Sequence, residues 1–136
     1  MARNIFKGLG VALITPFTSD GNVDYKSLTR LVEYQIDNGA DFLCILATTS
    51  EAPCLSAEEK EKVKQLVIEV NRGRLPLLMG CGGNNTKAIV EELKNSDWRG
   101  IDGVLSVCPY YNKPSQEGLY QHFKAIAVAS PLPVVL

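Results

Sequence analysis

The chain has 136 residues, 46% of them hydrophobic and 21% charged, with a formal net charge of −1. The 14 basic residues against 15 acidic ones give no electrostatic case for nucleic acid or an anionic membrane as partner. No apolar run reaches the ~18–20 residues that span a bilayer, and the length allows one ordinary domain with its own core.

Short apolar runs alternate with amphipathic segments along the chain. The N-terminal stretch MARNIFKGLGVALITPF carries basic residues and then an apolar run. It lacks a small-residue cleavage site and Pro16 ends it early, so Gly10–Ile14 reads as a strand and not as a signal peptide. Leu28, Leu31, Val32 and Ile36 then recur at helical spacing, with Asp24 at the start and Asn38-Gly39 at the stop. A second run spans Phe42–Leu46. Its helix is marked by Val63, Leu66, Val67 and Val70, and Ser56 with Glu59 forms a capping box ahead of it. The third run, Leu75–Met79, leads through Asn84-Asn85-Thr86 into a helix carrying Ile89, Val90 and Leu93. The fourth, Val104–Val107, precedes a helix with Leu119, Phe123, Ile126 and Ala127, for which Ser115 is the expected N-cap. A fifth run begins at Pro133.

These runs start about 29–33 residues apart, the size of one β-α unit. They are continuous and not alternating, which predicts parallel strands buried on both faces. A doubly wound sheet and a (β/α)₈ barrel both fit this α/β pattern. Neither the dinucleotide fingerprint nor a phosphate-binding P-loop occurs, since position 85 in Gly80-Cys-Gly-Gly-Asn-Asn85 is not glycine.

In both architectures the functional site lies beyond the carboxyl ends of the strands. The residues expected there are Thr15-Pro16, Ala47-Thr48-Thr49-Ser50-Glu51, Gly80–Asn85 and Cys108–Pro114. Paired threonine hydroxyls beside free backbone N–H groups can hold a carboxylate, and a phenol close by can relay protons. Turn and cap chemistry accounts for the same residue types, and Tyr110-Tyr111 also suits ordinary packing. Cys44, Cys54, Cys81 and Cys108 show no C-x-x-C spacing, and His122 is the lone histidine. The expectation is therefore reduced thiols, no metal site and a cytoplasmic protein. His122 reads as a surface or interface side chain, and Glu58–Lys64 as a solvated helix face.

From Gly8–Phe17 to Leu132–Leu136 the chain resembles the dihydrodipicolinate synthase / N-acetylneuraminate lyase family of pyruvate-dependent class I aldolases. Pro109–Phe123 carries the most specific likeness, and with Thr48-Thr49 it is similar to the synthase branch. The resemblance implies the N-terminal half of a (β/α)₈ TIM barrel, about four and a half β-α units, with residues 1–136 as one partial barrel domain lacking its C-terminal half. It implies condensation of pyruvate with aspartate 4-semialdehyde, no metal or organic cofactor, and a homo-oligomer, usually a tetramer. By the same resemblance Thr49 would hold the pyruvate carboxylate, and Thr48 would form a hydroxyl relay with Tyr111, which reaches a neighbouring subunit. Tyr110 and Asn84 would lie at an effector cleft in that interface.

The family motif Gly-Thr-Thr-Gly-Glu stands here as Ala47-Thr48-Thr49-Ser50-Glu51. Side chains replace both glycines, which costs stability if the turn needs φ > 0 at either position. Ala57, Lys60 and Ala88 stand where lysine-inhibited members place effector-binding histidines and a glutamate, so insensitivity to lysine is expected. A class I aldolase needs a desolvated lysine amine. All nine lysines of this chain read as surface or loop residues, and the family's Schiff-base lysine lies on the sixth strand. A fragment that is inactive alone and prone to self-association is therefore expected. The alternatives are a fragment of a sister aldolase acting on another ketoacid, and a non-catalytic half-barrel that binds a small carboxylate.

Overall fold

A computed structural model describes residues 5–136; residues 1–4, with Arg3 of the basic N-terminal stretch, lie outside the described residues. Strands and helices alternate: β1 (Gly10–Ala12), α1 (Tyr25–Asp37), β2 (Phe42–Ile45), α2 (Ala57–Asn71), β3 (Leu77–Gly80), α3 (Thr86–Asn95), β4 (Gly103–Leu105), α4 (Gln116–Ala129) and β5 (Val134–Val135). Two short 3₁₀ turns, Thr48–Ser50 and Ala52–Cys54, separate β2 from α2.

Local chemistry sets the helix starts. The Asp24 side chain accepts from the Ser27 amide, and Asn85 and Ser115 do the same for Ala88 and Gly118. Both halves of the Ser56–Glu59 capping box form. Each cap satisfies an amide that the first turn leaves without a partner.

All four strand pairs are parallel and the sheet order is β1-β2-β3-β4-β5. A doubly wound sheet must reverse its strand order at a switch point. This sheet never does, and its sequential order is that of one half of a (β/α)₈ barrel. The register aligns Val11 with Leu43 and Leu43 with Leu77, and it aligns Ile45 with Met79 and Met79 with Val104. Alternation along the strands turns these two rows toward the helices. A larger apolar cluster includes Val32, Leu43 and Val67, and a smaller one joins Leu93, Val104 and Ile126. Trp98 and Leu132 pack against both and tie them together.

Burial on both faces holds only in part. Residues of opposite parity face the barrel axis, and there Ile14 is 54% and Val107 43% exposed. At the amino end of the sheet Phe6 and Phe42 meet edge to face. A Cβ on Gly103 would fall 2.5 Å from the Phe6 ring, so glycine is what lets that ring lie against the strand.

Lys64 departs from the solvated face expected for Glu58–Lys64. It is only 4% exposed. Its ammonium donates to the Asp97 carbonyl oxygen at 3.1 Å and pairs with Glu61 at 2.7 Å. The aliphatic part is buried while the charge keeps polar partners. Among the described residues no helix is long and apolar enough to cross a membrane.

Candidate active site at the carboxyl ends of the strands

The β2 exit is an unusual piece of backbone. Leu46 and Glu51 have φ of 52° and 53°, and between them Ala47 is extended and Thr48–Ser50 form a 3₁₀ turn. Two left-handed non-glycine residues thus bracket the threonine pair, a local cost of about 1–3 kcal/mol each that surrounding contacts must offset. The contacts are present. Ser50 is 2% exposed and its hydroxyl donates to the Leu13 carbonyl oxygen at 2.7 Å. Thr15, also buried, donates its hydroxyl to the Ser50 carbonyl oxygen at 2.8 Å. The β1 exit therefore holds the β2 exit through two reciprocal hydrogen bonds. Gly80 closes the other side: a Cβ there would lie 2.3 Å from the Leu46 carbonyl oxygen.

This settles the cost expected from the replaced glycines. Ala47 has φ of −92°, and Ser50 is not among the positive-φ residues. The left-handed positions are one residue away from each, so neither side chain is strained.

Thr48 and Thr49 are exposed at the carboxyl end of β2. Thr48 lines a cleft of about 530 Å³ with Ala52, Lys60, Cys81, Glu92 and Tyr110. Asn84 donates its side-chain amide to the Tyr110 carbonyl oxygen at 3.1 Å, which binds the β3 exit to the β4 exit. The Asn112 amide donates to the same oxygen at 2.9 Å. With φ of 66° at Tyr111, that i→i+2 bond describes a γ-turn of the rare, strained hand. The turn throws Tyr111 outward to 93% exposure. Among the described residues the hydroxyls of Thr48, Thr49, Tyr110 and Tyr111 make no hydrogen bond. The structure thus brings Thr48 and Tyr110 around one cleft and leaves Thr49, Tyr111 and Asn84 outside its lining, Asn84 being tied to it through the Tyr110 carbonyl oxygen.

The cysteines divide into two kinds. Burial pushes the Cys44 thiol up to about 11; burial, with a further contribution from Glu92, pushes Cys81 up to about 12. Neither is a thiolate nucleophile near neutral pH. Cys54 and Cys108 are exposed, and all four are free. No cluster of three or more His, Cys, Asp or Glu side chains suited to a metal ion occurs among the described residues.

His122 corrects its surface reading. It is 4% exposed, with Nδ1 2.8 Å from the hydroxyl of Thr86 on α3. Burial lowers its pKa. A lone histidine two residues after Tyr120 carries no sequence signal of this; its i−4 spacing from buried Ile126 was the one available clue.

Comparison with known proteins places these features in a family. The dihydrodipicolinate synthetase family model matches residues 5–136. The 4-hydroxy-tetrahydrodipicolinate synthase of Phocaeicola vulgatus is 60% identical over 136 residues, which is 100% of this chain and 46% of that protein. The dihydrodipicolinate synthase structure from Thermotoga maritima superposes with a TM-score of 0.90 at 42% identity, over 96% of this chain and 44% of that one. The N-acetylneuraminate lyase structure from Mycoplasma synoviae is more distant, with a TM-score of 0.83 at 30% identity over 97% and 46% of the respective chains. The chain spans about half the length of the relatives it matches. With a family match over nearly its whole length and a sequential parallel half-barrel, the chain belongs to the dihydrodipicolinate synthetase family.

Proposed function

We propose that residues 1–136 are one partial barrel domain supplying the amino-terminal half of a pyruvate-dependent aldolase site. The reaction is condensation of pyruvate with aspartate 4-semialdehyde, carried out by the complete barrel as a homo-oligomer without a metal or organic cofactor. The observation that carries this reading is the Thr48-Thr49 pair, exposed on a turn held by Leu13, Thr15 and Gly80 at the carboxyl end of β2. A fixed turn presenting hydroxyls and amides is suited to a carboxylate. Thr49 binds the pyruvate carboxylate. Thr48 and Tyr111 pass a proton, and the outward γ-turn supports a role for Tyr111 in the site of a neighbouring subunit. Tyr110 and Asn84 border the effector cleft. Lys60 lines the same cleft as Tyr110, and a cation beside that tyrosine supports insensitivity to lysine.

None of the nine lysines lies on a strand, and buried Lys64 is on α2, in the outer layer. The Schiff-base amine must therefore come from further β-α units. The test pairs this chain with a polypeptide carrying the remaining units of the Phocaeicola vulgatus relative. Borohydride with pyruvate is expected to trap no adduct on this chain, and the pair is expected to condense pyruvate with aspartate semialdehyde. Thr49→Val is expected to raise the pyruvate KM, and Tyr111→Phe to lower kcat. A pyruvate adduct on the 136-residue chain, or an assembled pair active only on another aldehyde, overturns the reading.

A further inference from the structure

Two unpaired charges of opposite sign line the cleft at the carboxyl end of the sheet. Of the three lysines on α2, Lys62 pairs with Glu58 and Lys64 with Glu61, each at 2.7 Å. Lys60 pairs with no carboxylate among the described residues. Of the two carboxylates on α3, Glu91 pairs with Lys87 at 3.9 Å, and Glu92 pairs with no cation among the described residues. The two leftover groups line the same cleft of about 530 Å³ and are the only charged side chains in that lining. Lys60 is half-buried on the α2 wall. Glu92 stands on the α3 wall with Cys81, whose thiol is pushed up by burial first and by the Glu92 carboxylate second.

We propose that this cleft binds a small α-amino acid with an apolar side chain, Lys60 taking its carboxylate and Glu92 its ammonium. The two charges do not pair with each other across the cleft, so a ligand carrying both signs on one carbon supplies each with a partner. The Thr48 and Tyr110 hydroxyls share the lining and make no hydrogen bond of their own, which leaves them as donors to the carboxylate. Ala52 and Met79 give the side chain an apolar wall. A cleft of this size, mostly apolar with a few polar groups that fix orientation, is the usual form of a small-molecule site. A simple carboxylate leaves Glu92 unpaired, and a simple amine leaves Lys60 unpaired. Lysine brings a second ammonium to a cleft with one carboxylate and a cation of its own, so it is disfavoured. The binding claim stands on the cleft; any effect on turnover rests on the effector-cleft reading above.

The test is a nitrogen-15 NMR titration of the 136-residue chain with L-leucine, with its two halves 4-methylpentanoate and 3-methylbutylamine, and with L-lysine. Leucine is expected to shift the Thr48, Gly82 and Tyr110 amides and to saturate at about millimolar concentration. Each half and lysine are expected to bind about tenfold more weakly or worse. Lys60→Met and Glu92→Gln remove one charge each from side chains outside the apolar core, so the fold is retained, and each is expected to weaken leucine by about the same factor. Lys62→Met, which removes a paired lysine of the same helix outside the cleft, is expected to leave binding unchanged. No saturable shift with leucine overturns the proposal. So does 4-methylpentanoate or lysine binding as tightly as leucine, or a loss of binding in Lys62→Met equal to that in Lys60→Met. Leucine that binds the chain and leaves condensation by the assembled barrel unchanged sinks the effector reading and leaves the binding site intact.

Discussion

The Ser50 hydroxyl donates to the Leu13 carbonyl oxygen at 2.7 Å, deep between the first two strand exits. A serine where the family carries glycine is thus a tie that fixes the threonine turn to its neighbour. Ser50→Ala removes the donor and leaves a buried carbonyl short of a partner, so a loss of about 1–2 kcal/mol is expected by denaturant titration. Ser50→Gly adds backbone freedom to the same loss and is expected to be the less stable of the two. Stability equal to the parent in both variants shows that the tie contributes nothing.

Gly80→Ala tests the other wall of the turn. The added Cβ meets the Leu46 carbonyl oxygen at 2.3 Å and the Ala47 Cα at 2.7 Å, both backbone atoms that cannot swing aside. Destabilisation of about 1–3 kcal/mol or more is expected from such overpacking. Amide shifts are expected to change from Leu46 to Glu51, and a spectrum unchanged there counts against the close approach.

Ser56→Ala removes the half of the α2 capping box that the Ser56 hydroxyl makes with the Glu59 amide, and it leaves the backbone amide of position 56 able to donate to the Glu59 carboxylate. A cost of about 0.5–2 kcal/mol is expected, as for other N-cap serines. Circular dichroism melting of the variant against Ser56→Asp, which retains a cap, measures it.

Thiol labelling separates the cysteines. Cys54 and Cys108 are exposed while Cys44 and Cys81 are buried, so two thiols are expected to react rapidly with a disulfide reagent in the native chain and two only on unfolding. Burial holds the Cys44 and Cys81 pKa values at about 11 and about 12. In the unfolded chain they fall near the ordinary ~8.5, so the unfolded state loses these protons first. Stability is therefore expected to decline as pH rises above that ordinary value, and Cys81→Ala to soften the decline.

His122 gives the opposite limb. Burial lowers its pKa, so the unfolded chain binds this proton at a pH where the native chain does not. Stability is expected to fall as pH drops below about 6.5, the ordinary histidine value, until the native pKa is passed. Urea midpoints at stepped pH read the slope. His122→Gln is expected to flatten it, and an equal slope in that variant removes His122 as the source.

The order and type of the elements were legible in the sequence because they depend on neighbours along the chain. Leu28, Val32 and Ile36 mark a helix by spacing alone, and Ser56-x-x-Glu59 fixes its own helix start. The choice between two α/β architectures was legible in the family resemblance but not in the periodicity. It turns on which strands pair, a relation between residues about thirty positions apart that periodicity does not encode. The threonine pair and the Pro109–Phe123 motif pointed to the site, yet the turn geometry did not follow from them. The strain fell on Leu46 and Glu51 and not on the replaced glycines, because contacts from Leu13, Thr15 and Gly80 set the backbone there. Lys64 and His122 show the same limit, since each reads as surface in one dimension. By itself, then, the sequence determined the β-α rhythm, the helix caps and the family motifs, all written in local spacing. Only the tertiary structure decided the bracketed turn and the burial of Lys64 and His122, because packing between distant segments chooses which polar groups are enclosed.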